Sequence, residues 1–162
     1  MKVAIIYFSL DGNTRYVAEQ MAEQLNADII PLKPLKDYPT GKFSKFFWGG
    51  KSAVFAEKPE LEKYDFNADA YDLIILGTPV WAGTFTPPLR TFISGNDLRG
   101  KKVALFACNS GGDAEECFSK ITKLLPDCKI LSTQSFFDPK DQMNEESKTL
   151  ICAFCRKIEG EL

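Results

Sequence analysis

Three short segments carry the residue types that could hold and tune a ligand. The first is Ser9-Leu10-Asp11-Gly12-Asn13-Thr14. Gly12 permits a tight turn, and Ser9, Asn13 and Thr14 offer side-chain hydrogen bonds. A helix starting here would aim its free N–H groups outward, where they can cradle a phosphate. The segment lacks the glycine spacing of a dinucleotide loop and the Gly-Lys-Ser/Thr of a triphosphate loop, so a monophosphate suits it better. The alternative is an ordinary strand–turn–helix in which Asp11 or Asn13 is the cap.

The second segment, Gly77 to Pro88, contains Thr78-Pro79-Val80-Trp81-Ala82-Gly83. A tryptophan at a strand end can stack on a flat ring, and Gly83 would let the backbone flip or approach a ring edge. A Trp81 buried in a structural loop is the competing reading. Thr86 ahead of Pro87-Pro88 reads as an N-cap and a first helical turn. The third segment, Cys108-Asn109-Ser110-Gly111-Gly112-Asp113, follows an apolar run. Its paired glycines allow close backbone approach, and Ser110 or Asp113 can cap a helix.

The rest of the composition narrows the chemistry. The chain has no histidine, which removes the usual zinc sites and the His-based nucleophilic arrangements. A cofactor or other groups must supply any reactivity. Lys and Arg number 20 against 22 Asp and Glu, a net charge of −2, so nothing argues for a nucleic-acid partner. No apolar run approaches the ~20 residues of a membrane span. Met1 to Phe8 has no small-residue cleavage site and runs into a polar glycine turn, so it reads as a strand, not a signal peptide. Five cysteines, an odd count in a chain too large to need staples, point to a cytoplasmic protein. Cys152-Ala153-Phe154-Cys155 has no second pair at zinc spacing, and Cys155 falls on an apolar stripe, which points to core packing.

The elements that must position these segments follow from apolar periodicity. Strand-length runs recur at Val3–Phe8, Ile29–Leu32, Leu73–Leu76 and Val103–Ala107, with a weaker one at Lys129–Leu131. Between them lie helical stripes: Val17, Met21 and Leu25; Leu89, Phe92 and Ile93; Cys117, Ile121 and Leu125. Leu150, Ile151, Phe154, Cys155 and Ile158 make the last. Strands that are apolar throughout suit a parallel sheet covered on both faces. The expected fold is a doubly wound α/β domain over residues 1–162, with five parallel strands in the order 2-1-3-4-5 and helices on both faces. All three segments then emerge at the carboxyl ends of strands 1, 3 and 4. The stretch from Pro34 to Asn67 is too long for a simple connection. Its Phe43, Phe46, Phe47, Trp48 and Phe55 form either a satellite core or a lid over the ligand.

Ser-Leu-Asp-Gly-Asn-Thr, Thr-Pro-Val-Trp-Ala-Gly and Asn-Ser-Gly-Gly, each after its strand, together resemble the flavodoxins over essentially the whole chain. The resemblance implies FMN as cofactor. Ser9, Leu10, Asp11, Gly12, Asn13 and Thr14 would then form the phosphate loop. Thr78, Pro79, Val80, Trp81, Ala82 and Gly83, with Asn109, Ser110, Gly111 and Gly112, would meet the isoalloxazine. Trp81 would stack on or edge it, and the Ala82-Gly83 backbone would hydrogen-bond flavin N5. Electron transfer with redox partner proteins or an NAD(P)H reductase is the implied role. The alternative is an FMN-dependent NAD(P)H:quinone or nitro-compound reductase. The chain departs from the pattern in three ways: Asp11 stands where threonine is usual, with Arg15 as a candidate counter-charge; the third loop has no tyrosine; and the net charge is nearly neutral, where carrier flavodoxins are strongly acidic.

Overall fold

The computed structural model describes residues 1–38, 51, 56–140 and 145–161. The aromatic cluster Phe43, Phe46, Phe47, Trp48 and Phe55, and with it the choice between lid and satellite core, lies outside the described residues.

The strands are β1 (Val3–Tyr7), β2 (Asp28–Pro31), β3 (Leu73–Pro79), β4 (Lys102–Asn109) and β5 (Lys129–Phe137). The helices are α1 (Asn13–Leu25), α2 (Pro87–Gly95), α3 (Glu115–Thr122) and α4 (Glu145–Gly160), with a 3-10 turn at Ala68–Ala70. The strands form one parallel sheet in the order β2-β1-β3-β4-β5, as the alternation of strands and helices predicts.

Side chains alternate across the sheet and divide the core into two layers. Ala4, Ile6, Ile74, Leu76, Leu105 and Ala107 face α2 and α3, meeting Leu89, Phe92, Cys117 and Ile121. Val3, Ile5, Tyr7, Leu73, Ile75 and Phe106 face the opposite way, against Val17 and Met21 of α1 and Ile151, Phe154 and Ile158 of α4. Covering both faces is what lets β1, β3 and β4 be apolar almost without interruption.

Two expectations about length and burial need correction. The last strand runs six residues past Lys129–Leu131, to Phe137. Its middle is Ser132-Thr133-Gln134-Ser135, of which Thr133 is exposed, Gln134 and Ser135 are half-buried and Ser132 is buried. Leu150, expected on the apolar stripe of the last helix, is exposed at 38% while Ile151 and Phe154 carry the contact.

The ends of the long connection are tied together beside β2. Leu35 N–H donates to the Glu60 carbonyl at 2.9 Å, and Glu62 N–H to the Lys33 carbonyl at 2.7 Å. Tyr38, Tyr64 and Phe66 from its two ends pack on the layer beneath α2.

Candidate functional site

The three segments come together at the carboxyl edge of the sheet, where the order reverses between β1 and β3. Backbone hydrogen bonds lock their bases to one another. Phe8 N–H donates to the Gly77 carbonyl at 3.2 Å, and Val80 N–H to the Cys108 carbonyl at 2.9 Å. Between them opens a cleft of about 330 Å³, within the range of small-molecule and cofactor sites. Ser9, Leu10, Asp11, Asn13, Thr14, Pro79, Val80, Trp81, Ala82, Asn109 and Ser110 line it, joined by Cys108.

The first loop turns at Gly12, which has φ +96° and stands at the N-cap of α1. Gly12, not Asp11 or Asn13, occupies the N-cap, and it makes no side-chain cap bond. Gly12 N–H instead donates to the Ser9 hydroxyl at 3.2 Å, and the first intrahelical bond is Tyr16 N–H to the Gly12 carbonyl at 2.9 Å. The N–H groups of Asn13, Thr14 and Arg15 therefore have no partner within the helix. Thr14 adds a more pointed observation: its hydroxyl is buried, the residue 1% exposed, and among the described residues it meets no nitrogen or oxygen partner, only the weakly bonding Cys108 thiol. An orphaned buried hydroxyl is costly unless a ligand satisfies it. It sits beside the Cys108 thiol, whose pKa burial pushes up to about 12 against a smaller downward pull from Thr14. That thiol is held protonated and apolar in character.

The second loop is a two-residue hairpin. Trp81 N–H donates to the Thr84 carbonyl at 2.9 Å and Thr84 N–H returns to the Trp81 carbonyl at 3.0 Å. Ala82 at φ +49° and Gly83 at φ +69° are both left-handed, as a type I′ turn demands. This geometry leaves the Ala82 and Gly83 N–H groups outside the two turn bonds. Trp81 is oriented by two aromatic edges: Phe8 with centroids 5.6 Å apart at 87°, and Tyr38 at 5.1 Å and 82°. Helix α3 braces the back of the turn through Lys120, whose Nζ reaches the Gly83 carbonyl at 3.5 Å and pairs with Glu116 at 2.8 Å.

Thr78 is drawn away from the cleft. Its hydroxyl lies 3.0 Å from that of Thr86 and accepts Thr86 N–H at 3.1 Å. Thr86 does occupy the N-cap of α2, but without a side-chain cap bond. Pro87 and Pro88 have no N–H to offer it. Gly12, Gly83, Gly111 and Gly112 likewise shape the loops without lining the cleft. In the third loop, Gly111 N–H donates to the Asn109 side-chain oxygen at 3.2 Å, and Ser110 donates to the Asp138 carboxylate at 2.7 Å.

Asp138 and Lys140 follow β5 and were not among the sequence candidates. Asp138 N–H donates to the Asn109 carbonyl at 2.9 Å, and Lys140 N–H to the Asn13 side-chain oxygen at 2.9 Å. The segment thus spans the third and first loops. Lys140 lies 129 residues from Asp11 in sequence, beyond the reach of any local pattern.

A family model for flavodoxins matches residues 2–147. The chain belongs to the flavodoxin family. Solved structures repeat its fold. A Bacteroides eggerthii protein described as a candidate flavoprotein superposes with a TM-score of 0.76 at 24% identity, covering 98% of each chain. A Lactobacillus acidophilus flavoprotein in complex with FMN gives 0.73 at 20% identity over 87% of this chain and 97% of its own. Oxidised flavodoxin 2 from Bacillus cereus gives 0.64 at 17% identity, with both chains fully covered.

The donor set of this flavodoxin fits FMN. The open N–H groups of α1 and the buried Thr14 hydroxyl suit a phosphate. Trp81 and the Ala82–Gly83 turn suit a planar ring that is apolar on its faces and polar at its edge.

Proposed function

We propose that this flavodoxin is an FMN-dependent electron-transfer protein. The observation that carries this reading is Thr14 in the first turn of α1, which lines the same cleft as Trp81 and whose buried hydroxyl has no nitrogen or oxygen partner among the described residues. Ser9, Asn13 and Thr14 would hold the phosphate, Trp81 and Val80 would flank the ring, and the free N–H groups of Ala82 and Gly83 would meet its polar edge. FMN supplies one- and two-electron chemistry, while the protein supplies binding and electrostatics. Trp81 and Val80 would keep water from one side of a bound ring, which would disfavour charge there. The chain has no histidine to act as a proton donor or acceptor at the ring. Among the described residues no helix is long and apolar enough to cross a membrane. Our reading places the protein in the cytoplasm, exchanging electrons with partner proteins or an NAD(P)H reductase.

A second reading has one observation in its favour. Ser110, Gly111 and Gly112 are exposed and the loop has no aromatic residue of its own, an arrangement that would suit access by a small substrate. An FMN-dependent NAD(P)H:quinone or nitro-compound reductase would use such access. The deciding experiment adds FMN to purified protein, records the flavin absorbance, and then supplies NAD(P)H with and without a separate flavin reductase. Reduction only with the separate reductase supports the carrier. Catalytic NAD(P)H oxidation by the protein alone, accelerated by a quinone, overturns it for the enzyme. Failure to bind FMN overturns both.

A further inference from the structure

We propose that Lys140 supplies the cation for the ligand phosphate, reaching over the start of α1 from the segment that follows β5. This rests on the FMN reading above.

The placement is specific. Lys140 Nζ lies 3.4 Å from the Asp11 carbonyl oxygen. The end of its side chain crosses the bare α-carbon of Gly12, where an added β-carbon would lie 3.5 Å from both Cδ and Nζ. The ammonium is therefore held at the loop whose N–H groups are open and beside the helix turn that carries the buried Thr14 hydroxyl. Its backbone is anchored independently, by the bond from Lys140 N–H to Asn13 and, two residues earlier, by Asp138, which contacts both Asn109 and Ser110. The side chain is exposed, so it can exchange its weak contact to the Asp11 carbonyl for a phosphate oxygen at little cost.

Arg15 does not serve this role. It extends along the helix to Glu19, at 3.7 Å, with both side chains exposed. A phosphate monoester carries a charge of about −1.5 to −2 near pH 7, so an ammonium here should contribute to its affinity in a salt-dependent way.

The test measures FMN and riboflavin binding to the full chain by flavin fluorescence quenching, in wild type, Lys140→Gln and Lys140→Arg, at low and high salt. Inorganic phosphate is added separately to apo protein while thermal unfolding is followed. In Lys140→Gln we expect FMN affinity to fall about fivefold to tenfold at low salt, as for an exposed pair acting on a multiply charged partner. Riboflavin affinity and the melting temperature without ligand should hold, because the anchoring backbone is untouched. Lys140→Arg should restore FMN binding, and the loss should shrink at high salt. Phosphate should stabilise wild type more than Lys140→Gln. An equal loss for both flavins would make Lys140 a structural latch and overturn the proposal, as would unchanged FMN affinity. If wild type binds neither flavin yet phosphate still stabilises it through Lys140, the FMN reading fails and the phosphate site stands. If phosphate also has no effect, both fail.

Discussion

The ring of Phe106 on β4 packs directly over the bare α-carbon of Gly77, its register partner on β3. A β-carbon at Gly77 would overlap Cζ and Cε1 of this ring, with Cε2 only 2.9 Å away. Phe106 cannot retreat, because it is fully buried and meets Phe136 edge to face at 6.3 Å. Gly77 immediately precedes Thr78 and Pro79, so this contact sets the height at which the second loop leaves the sheet. Gly77→Ala should destabilise the protein by about 1–3 kcal/mol through overpacking, read as a lower urea midpoint. Adding Phe106→Leu should recover part of that loss, since it removes the obstructing ring. Losses that merely add would show that the two positions are not coupled.

Trp81 is turned by Phe8 and Tyr38 so that one side remains available to the cleft. Trp81→Ala should weaken FMN binding about fivefold or more, from roughly 1 kcal/mol of lost aromatic contact, and should raise the fluorescence of whatever flavin stays bound. Trp81→Phe should retain most of the affinity. If both substitutions leave affinity and quenching unchanged, Trp81 belongs to the Phe8–Tyr38 cluster alone.

The parts of this site that were legible in the sequence are those a local pattern encodes. Buried parallel strands must be apolar on both faces, so β1, β3 and β4 stood out, and the loops after them shared one edge. The edge strand β5 extends beyond its apolar start because Ser132 to Ser135 continue the ladder with β4 without forming an apolar run. Thr78 looks like a ligand-binding hydroxyl from the sequence, but Pro88 removes one of the two N–H groups that Thr86 could cap, and Thr86 makes no cap bond. Thr86 pairs with Thr78 instead. Lys140 and Tyr38 carried no local signal, since each reaches the site only through tertiary packing.

Stability should decline in alkali. Burial pushes the thiols of Cys108 and Cys117 up to about 12, with Cys155 moved the same way. An unfolded thiol ionises near 8.5. Below that pH both states keep the proton and nothing is lost. Above it the unfolded chain releases protons that the folded chain retains, so stability falls as pH rises toward 12. Each of Cys108 and Cys117 should contribute about 1.4 kcal/mol of loss per pH unit in that window. Urea midpoints at pH 7, 9 and 10 should show this drop. Cys117→Ala should be somewhat less stable at pH 7, from the small cavity it leaves, yet lose less between pH 9 and 10. A slope identical to wild type would mean that other groups dominate the alkaline transition.

Asp11 places a carboxylate on the loop that would receive a phosphate, and its consequence depends on Lys140. A carboxylate and a phosphate within about 5 Å repel by roughly 2–3 kcal/mol per unit charge at an effective dielectric of 20–30. Asp11 is exposed, so solvent screens much of this, and the Lys140 ammonium over the same loop offsets more. Asp11→Thr also introduces a hydroxyl that can donate. We expect FMN affinity to rise about threefold to tenfold at low salt while riboflavin affinity holds, because only FMN carries the phosphate. The gain should be larger in a Lys140→Gln background, where the repulsion is no longer compensated. That non-additivity is the sharper measurement, since a carboxylate and an ammonium acting on one phosphate must couple. Equal gains in both backgrounds would mean that Asp11 and Lys140 do not influence each other and act on the ligand independently. Weaker FMN binding in Asp11→Thr would mean that Asp11 organises the loop and that its charge is secondary.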